Sequence, residues 1–350
     1  MLKSHFMITL CLFSFAASYF LTGLIRRYAL KNSLLDVPNA RSSHVVATPR
    51  GGGLAVVIVF LLIIGGASLV GSLVINQTYI MGLVLSGALV AGVGFWDDRQ
   101  SIQARWRFMV HFGAAAWGLY WLGGLPPIIF FGYIVNLGWA GQVIGLLYLV
   151  WLLNLYNFMD GIDGLAGIEA ITVCCSGALM AWLVAPDSSA WVPPILLATA
   201  VLGFLVWNFP PARIFMGDAG SGFLGIVLAL FSVQSAWVEP RLLWVWLILL
   251  GVFIVDATVT LCRRVLRGER FYEAHCSHAY QYASRIFGAH RPVTLAICAI
   301  NIFWLLPVAS LVALENLDGM LGLVVAYLPL LLLVYHYKAG DQQAQAGLDK

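Results

Sequence analysis

The chain has 350 residues, 61% of them hydrophobic and only 10% charged, with a mean hydropathy of +0.90. That excludes a water-soluble globular domain and places the chain among polytopic membrane proteins. A formal net charge of +3 is too small to draw it to nucleic acid, which is excluded as a partner.

With about 20 apolar residues needed per crossing, the length allows an all-α bundle of about 10 to 11 transmembrane helices. It reads as a single integral membrane domain over residues 1–350, with a short tail over 338–350. The first apolar run, 6–25, is longer than a signal-peptide core and leads straight into Arg26 and Arg27, so it reads as a retained span. The first connection, Asp36 to Gly53, ends in Pro49-Arg50-Gly51-Gly52-Gly53. Arg50 there is a candidate for holding a phosphate or lipid headgroup, against the plainer reading of a cytosolic linker. Spans at 53–75 and 79–96 follow, the second ending at Asp97 and Asp98. Adjacent carboxylates at a membrane helix end are costly unless a cation meets them. They either pair with Arg99, Arg105 or Arg107, or serve as metal or general-base carboxylates, one with a raised pKa. After a span at 107–123, whose His111 reads as an interhelical bond, the Gly- and Pro-containing stretch 124–139 reads as an external loop with a hairpin.

The span 140–157 breaks into Asn154, Asn157, Asp160 and Asp163, three residues apart. Each such step falls about 60° short of a full helical turn, so the four cannot share one face. A helix carrying both asparagines and opening at Gly161 and Gly164 into a loop with both aspartates accounts for the spacing. Spans at 166–185, with Glu169 near its start, and 191–208 lead to Asn208 and to Met216-Gly-Asp-Ala-Gly-Ser221. Glycines flank Asp218, and Ser221 is expected to cap the next span, 220–238, with amides turned to phosphate. A ninth span, 242–262, contains Asp256, an acid inside the membrane and so a functional candidate or a partner of Arg263. The loop after it holds six arginines with His275 and His278, which suits a phosphate better than a cation. The last spans are 293–314 and 319–336, and the six cysteines are scattered without metal-ligand or disulfide spacing.

Positive residues are retained on the cytoplasmic side of a membrane. With eleven spans, seventeen of the nineteen basic residues fall on one side, leaving Lys3 and Arg241 on the other. The N-terminus is therefore expected outside, the C-terminus in the cytoplasm, and every polar cluster at the cytoplasmic face. Acids for a hard divalent cation (Mg²⁺, with Mn²⁺ as a substitute), arginines and helix starts for phosphates, and a lipid-facing bundle together imply phosphoryl transfer between a soluble diphosphate and a membrane lipid. A transporter or flippase is the rival reading, but it requires polar groups near the bilayer midplane. A CDP-alcohol phosphatidyltransferase requires an Asp-Gly-x-x-Ala-Arg pattern that the chain lacks.

The Pro49–Gly53 segment, Asp97-Asp98, the Asn-x-x-Asn-x-x-Asp-Gly-x-Asp-Gly-Leu-Ala stretch at 154–166, Gly217-Asp-x-Gly-Ser221 and the histidine loop, in that order, resemble the polyprenyl-phosphate N-acetylhexosamine-1-phosphate transferases. The resemblance implies a bacterial inner-membrane enzyme that joins a UDP-N-acetylhexosamine to undecaprenyl phosphate with Mg²⁺, releasing UMP. It implies Asp218 as the metal ligand, Asp97, Asp98 and Asp160 as catalytic, and Arg50, Asn154, Asn157, Asp163, Asn208, His275 and His278 as substrate-binding; a homodimer is a further expectation. The segment His275-Cys-Ser-His278 is sparser than the histidine cluster of the peptidoglycan branch. It looks more like the O-antigen initiating branch, whose donors include 6-deoxy sugars such as N-acetylfucosamine and N-acetylquinovosamine.

Overall fold

A computed structural model describes residues 2–38, 46–69, 71, 75–269 and 276–341. Apolar runs become helices because in lipid every backbone amide must be bonded within its own segment. The helices are α1 Leu2–Lys31, α2 Gly53–Leu69, α3 Gln77–Asp97, α4 Ala104–Trp121, α5 Gly138–Met159, α6 Leu165–Val184 and α7 Val192–Asn208. They continue as α8 Asp218–Val238, α9 Leu242–Leu249, α10 Gly251–Leu266, α11 Ala279–Phe287, α12 His290–Ile300, α13 Leu306–Ala313 and α14 Gly319–His336. A π-helical turn, Asn301–Leu305, joins α12 to α13. The all-α polytopic fold expected from the sequence is what is found. Among the described residues seven helical stretches are long and apolar enough to cross a membrane, with α12, the π-helical turn and α13 counted as one, and the bent pair α9 and α10 makes an eighth if it is one span.

Three elements differ in detail from expectation. The ninth span bends by 68° between α9 and α10. Gly251 sits at this bend, close under α14: a Cβ there would stand 3.0 Å from Tyr327. The histidine loop contains α11, a nine-residue helix absent from the sequence reading. The first connection is more than a linker, since Leu35–Asp36 (β1) pairs antiparallel with Thr48–Pro49 (β2). The expected hairpin does form, Ile128–Phe130 (β3) against Tyr133–Val135 (β4), with Phe131 and Gly132 at positive φ in the turn.

Helix α8 is the axis of the bundle, buried from Ala219 to Ala236 except at Gln234. Small residues let its neighbours approach, as is usual where lipid supplies no hydrophobic drive between helices. Gly225 faces the α5 backbone, where a Cβ would stand 2.7 Å from Leu153 Cα. Gly94 of α3 meets the start of α8, where a Cβ would be 2.6 Å from Ala219 N. These two crossings bring the C-terminal ends of α3 and α5 beside the N-terminus of α8. The β3–β4 hairpin lies at the opposite end of α5.

Candidate active site

The site is built on the first residue of α8. Asp218 Oδ1 accepts a hydrogen bond from Asn157 Nδ2 at 3.1 Å, and the same Nδ2 lies 2.9 Å from Ser221 Oγ. Asn157 thus reaches from the last turn of α5 across to α8, as the Gly225 crossing allows. Asp218 Oδ2 lies 3.8 Å from Arg107 Nη1 on α4, and Arg107 also bonds the Asp97 carboxylate. Asp97 accepts in addition from the Ile102 amide at 2.6 Å, which fixes the turn between α3 and α4.

Asp98, the neighbour of Asp97, does something else. Its carboxylate accepts from the backbone N–H groups of Asp218 at 3.0 Å and Ala219 at 3.2 Å. It is therefore an N-cap supplied by another helix, satisfying amides that a helix start leaves unpaired and placing negative charge at the positive end of the dipole. Gly217 makes this geometry accessible, since its φ is +80° and a Cβ there would come within 2.6 Å of Asp98 Oδ2. The expectation that Ser221 caps this helix and leaves its amides for phosphate is corrected. The helix begins three residues earlier, and Ser221 Oγ bonds Gly217 O at 3.2 Å. Burial raises the Asp98 pKa and the adjacent Asp97 charge adds to the rise, against the opposing pull of the two amides and Arg50.

Arg50 joins this cluster from the first connection, with Nη2 2.6 Å from Asp36 Oδ2 and Nη1 3.8 Å from Asp98 Oδ1. The glycines after it serve packing and backbone bonding. Gly52 and Gly53 donate to Phe215 O and Met216 O at 2.9 Å, and a Cβ on Gly53 would stand 2.6 Å from Gly220 Cα.

Asp160 follows α5 and is half-buried, and among the described residues its carboxylate accepts no hydrogen bond. Burial pushes its pKa up to about 7, and the charges of Asp218 and Asp98 push the same way against Arg50. Such a group, short of partners and facing other acids, invites a cation.

Three residues expected to bind substrate lie in the scaffold. Asn208 is 4% exposed; its Oδ1 accepts from the Gly164 amide and its Nδ2 donates to Ile214 O, both at 3.0 Å. Asp163 Oδ2 accepts from the Ala212 amide at 2.9 Å, and Oδ1 lies 3.1 Å from His290 Nδ1. His278 is 2% exposed with Nδ1 3.2 Å from Asp256 Oδ1. The physical reason is common to all three: loops that carry polar groups at a membrane edge need their own amides satisfied, and nearby Asn, Asp and His side chains do that. His275 lies outside the described residues.

A cleft between α3, α4, α5 and α8 opens beside Asp218. Its polar lining is Asp97, Arg107, His111, Asn154, Asn157 and Asp218, and its apolar lining includes Val90, Val93, Phe108, Leu153 and Phe158. Asn154 lines this cleft, its Nδ2 donating back to Val150 O at 2.7 Å. Arg107 and His111 were not singled out as site residues. Their four-residue spacing puts both on one face of α4, and that periodicity was the available signal.

For a divalent cation the donor chemistry fits. Asp218 and Asp160 offer hard carboxylate oxygens, and Mg²⁺ commonly takes one or two carboxylates, with substrate phosphates and water completing its shell. Among the described residues no group of three or more His, Cys, Asp or Glu side chains is placed to hold an ion, so two carboxylates with water or phosphate oxygens are the set that would serve.

Residues 80–236, which carry Asp97, Asp98, the 154–166 stretch and Asp218, match the family described as Glycosyl transferase family 4. The chain is 31% identical over 315 residues to the decaprenyl-phosphate N-acetylglucosaminephosphotransferase of Mycobacterium tuberculosis, covering 80% of this chain and 76% of that one. It is 25% identical over 289 residues to the undecaprenyl-phosphate alpha-N-acetylglucosaminyl 1-phosphate transferase of Thermotoga maritima, covering 83% and 86%. It is also 31% identical over 254 residues to a phospho-N-acetylmuramoyl-pentapeptide-transferase of Nostoc, covering 69% and 66%.

Proposed function

The chain belongs to the polyprenyl-phosphate N-acetylhexosamine-1-phosphate transferases of glycosyl transferase family 4, and from that premise we propose that it transfers an N-acetylhexosamine-1-phosphate from a UDP-sugar to undecaprenyl phosphate. The observation that carries the reading is the cleft itself, in which an acid, an amide and an arginine on α8, α5 and α4 meet an apolar wall. That is what a phosphate on a polyprenyl chain requires.

In this reading a phosphate oxygen of the lipid attacks the β-phosphorus of the nucleotide sugar. The bond from that phosphorus to the bridging oxygen breaks, and UMP leaves with the electron pair. The lipid phosphate is already a nucleophile, so direct attack needs no covalent enzyme intermediate. Arg107 and Arg50 supply positive charge to the phosphates, and Asp97 fixes Arg107 in place. Asp98 acts by holding the α8 start, and so Asp218, at its station. Asp218 and Asp160 are the residues that would hold Mg²⁺ (or Mn²⁺), which when bound supplies charge neutralisation to the diphosphate. The site faces the cytoplasm of a bacterial inner membrane, following the arginine-rich side of the bundle.

The relatives compared are named for the transfer of N-acetylglucosamine phosphate or phospho-N-acetylmuramoyl-pentapeptide, and the resemblance of the histidine segment to the O-antigen initiating branch is what brings in 6-deoxy donors. We propose N-acetylglucosamine or a 6-deoxy sugar such as N-acetylfucosamine or N-acetylquinovosamine, in a pathway that initiates O-antigen or a related envelope polysaccharide. The test is UMP release by the purified protein from a panel of UDP-sugars with undecaprenyl phosphate and Mg²⁺. Release with at least one N-acetylhexosamine donor, lost in Asp218→Ala, is expected. No release with any donor would overturn the reaction, and unchanged turnover in Asp218→Ala would overturn the metal assignment.

A further inference from the structure

Asp256 lies in α10, 3% exposed. A carboxylate so placed demands partners, and it has four. Oδ1 accepts from the Ala279 amide at 3.0 Å and from Thr260 Oγ1 at 3.1 Å, and lies 3.2 Å from His278 Nδ1. Oδ2 accepts from the Tyr280 amide at 3.0 Å. Asp256 thus caps α11 from a different helix, as Asp98 caps α8. Arg263, the alternative partner two turns on, instead donates to Ala339 O at 2.8 Å.

The consequence runs through Tyr280. Its ring stacks on His278 with centroids 5.5 Å apart. Its hydroxyl donates to Phe158 O at 3.1 Å, in the last turn of α5. The phenol also lies against Gly161, where any Cβ would collide with the hydroxyl oxygen. Phe158 and Gly161 bracket Asp160, so the backbone that aims this carboxylate is held from one side by Tyr280. Because the α11 start is fixed by Asp256, the position of Tyr280 along that backbone is fixed by Asp256 as well.

We infer that Asp256 is a positioning residue for Asp160, acting through the capped start of α11 and the Tyr280 hydroxyl. The inference rests on the proposed function only in taking Asp160 as a cation ligand. Asn at 256 keeps the volume but leaves a single acceptor oxygen for donors that now use two, so the Tyr280 end of α11 loosens.

The test is Mn²⁺ binding to the purified full chain in detergent, read by electron paramagnetic resonance, for wild type, Asp256→Asn, Tyr280→Phe and the double variant. Asp256→Asn is expected to weaken Mn²⁺ binding about tenfold and Tyr280→Phe about threefold, with the double variant no weaker than Asp256→Asn, since contacts in one chain of action do not add. Unchanged Mn²⁺ affinity in a folded Asp256→Asn protein, or full additivity in the double variant, would overturn the inference. Should Asp256→Asn fail to fold, Tyr280→Phe alone decides, because it removes one hydroxyl and leaves the cap intact; unchanged affinity in it overturns the inference. Absence of Mn²⁺ binding in wild type would instead overturn the cation assignment of the site, a different result from either.

Discussion

Asp98 accepts the backbone N–H of Asp218 at 3.0 Å, so one acid of the site fixes the helix start that carries another. The pair is held by geometry and not by mutual charge. Asp98→Asn leaves one acceptor oxygen for two amides and removes the charge favoured at a helix start. We expect a lower thermal midpoint and a loss of UMP release on the order of 10²-fold, the scale of a small displacement at a reacting centre. Asp98→Ala should be worse in both. Activity lost with no change in thermal unfolding would place Asp98 on the reacting atoms instead.

Burial first, and then its acidic neighbours, push the Asp160 pKa up to about 7. Below that pH it holds a proton that an incoming cation must displace, so affinity falls as the solution is acidified. Mn²⁺ binding followed by calorimetry should weaken about tenfold per pH unit below the midpoint and level off above it. Asp160→Asn should bind more weakly and lose this step. An unaltered pH profile in that variant would assign the titration elsewhere.

Arg107 bonds Asp97 and approaches Asp218 at 3.8 Å. Removing it leaves the Asp97 carboxylate, only 8% exposed, without its cation. Arg107→Ala should cost about 1–3 kcal/mol of stability, and the double variant with Asp97→Asn should recover much of that while remaining inactive. Arg107→Lys keeps the charge but not the planar guanidinium whose Nη1 faces both carboxylates. It should be stable and slow, with the KM for the lipid acceptor raised more than that for the nucleotide sugar. Equal effects on both substrates would argue against Arg107 facing the acceptor.

Glycines of the bundle should divide sharply on substitution. Gly225→Ala puts a Cβ 2.7 Å from Leu153 Cα at the crossing of α5 and α8, with overpacking expected to cost on the order of 1–3 kcal/mol. At Gly65 an added Cβ would meet nothing within 4 Å. There Ala should be neutral or stabilise α2 by about 0.5–1 kcal/mol, the usual gain in a helix interior. Thermal unfolding of both in the same detergent checks the contrast, and a stable Gly225→Ala protein would mean the crossing is looser than drawn.

Much of the bundle was legible because apolar length and loop charge are properties of the chain itself. The break after Asn157 was legible too, since a three-residue step cannot stay on one helical face. What composition could not convey is which polar side chain serves a ligand and which serves a neighbouring amide. Asp98, Asp163 and Asn208 stand in motifs as conspicuous as Asp218, yet they bond the amides of residues 218 and 219, 212, and 164. Those partners lie between 44 and 121 residues away along the chain, a separation that no local spacing encodes. Arg107 reads from the sequence as one of three arginines that could pair with Asp97-Asp98, and His111 as an interhelical bond; only the packing of α4 turns both into the cleft.

The cap on α8, the ties at Gly164 and Ala212 and the Tyr280 hydroxyl on Phe158 O link four connections of the chain in series. Loosening any one of them removes support from the next, so the amides of Gly164, Ala212, Asp218, Ala219, Ala279 and Tyr280 belong to one cooperative unit. Their hydrogen exchange should be slow and should collapse together, with a shared opening energy. None of the four connections can then lift aside without breaking a tie to another, so an opening motion at this face has to be shared among them.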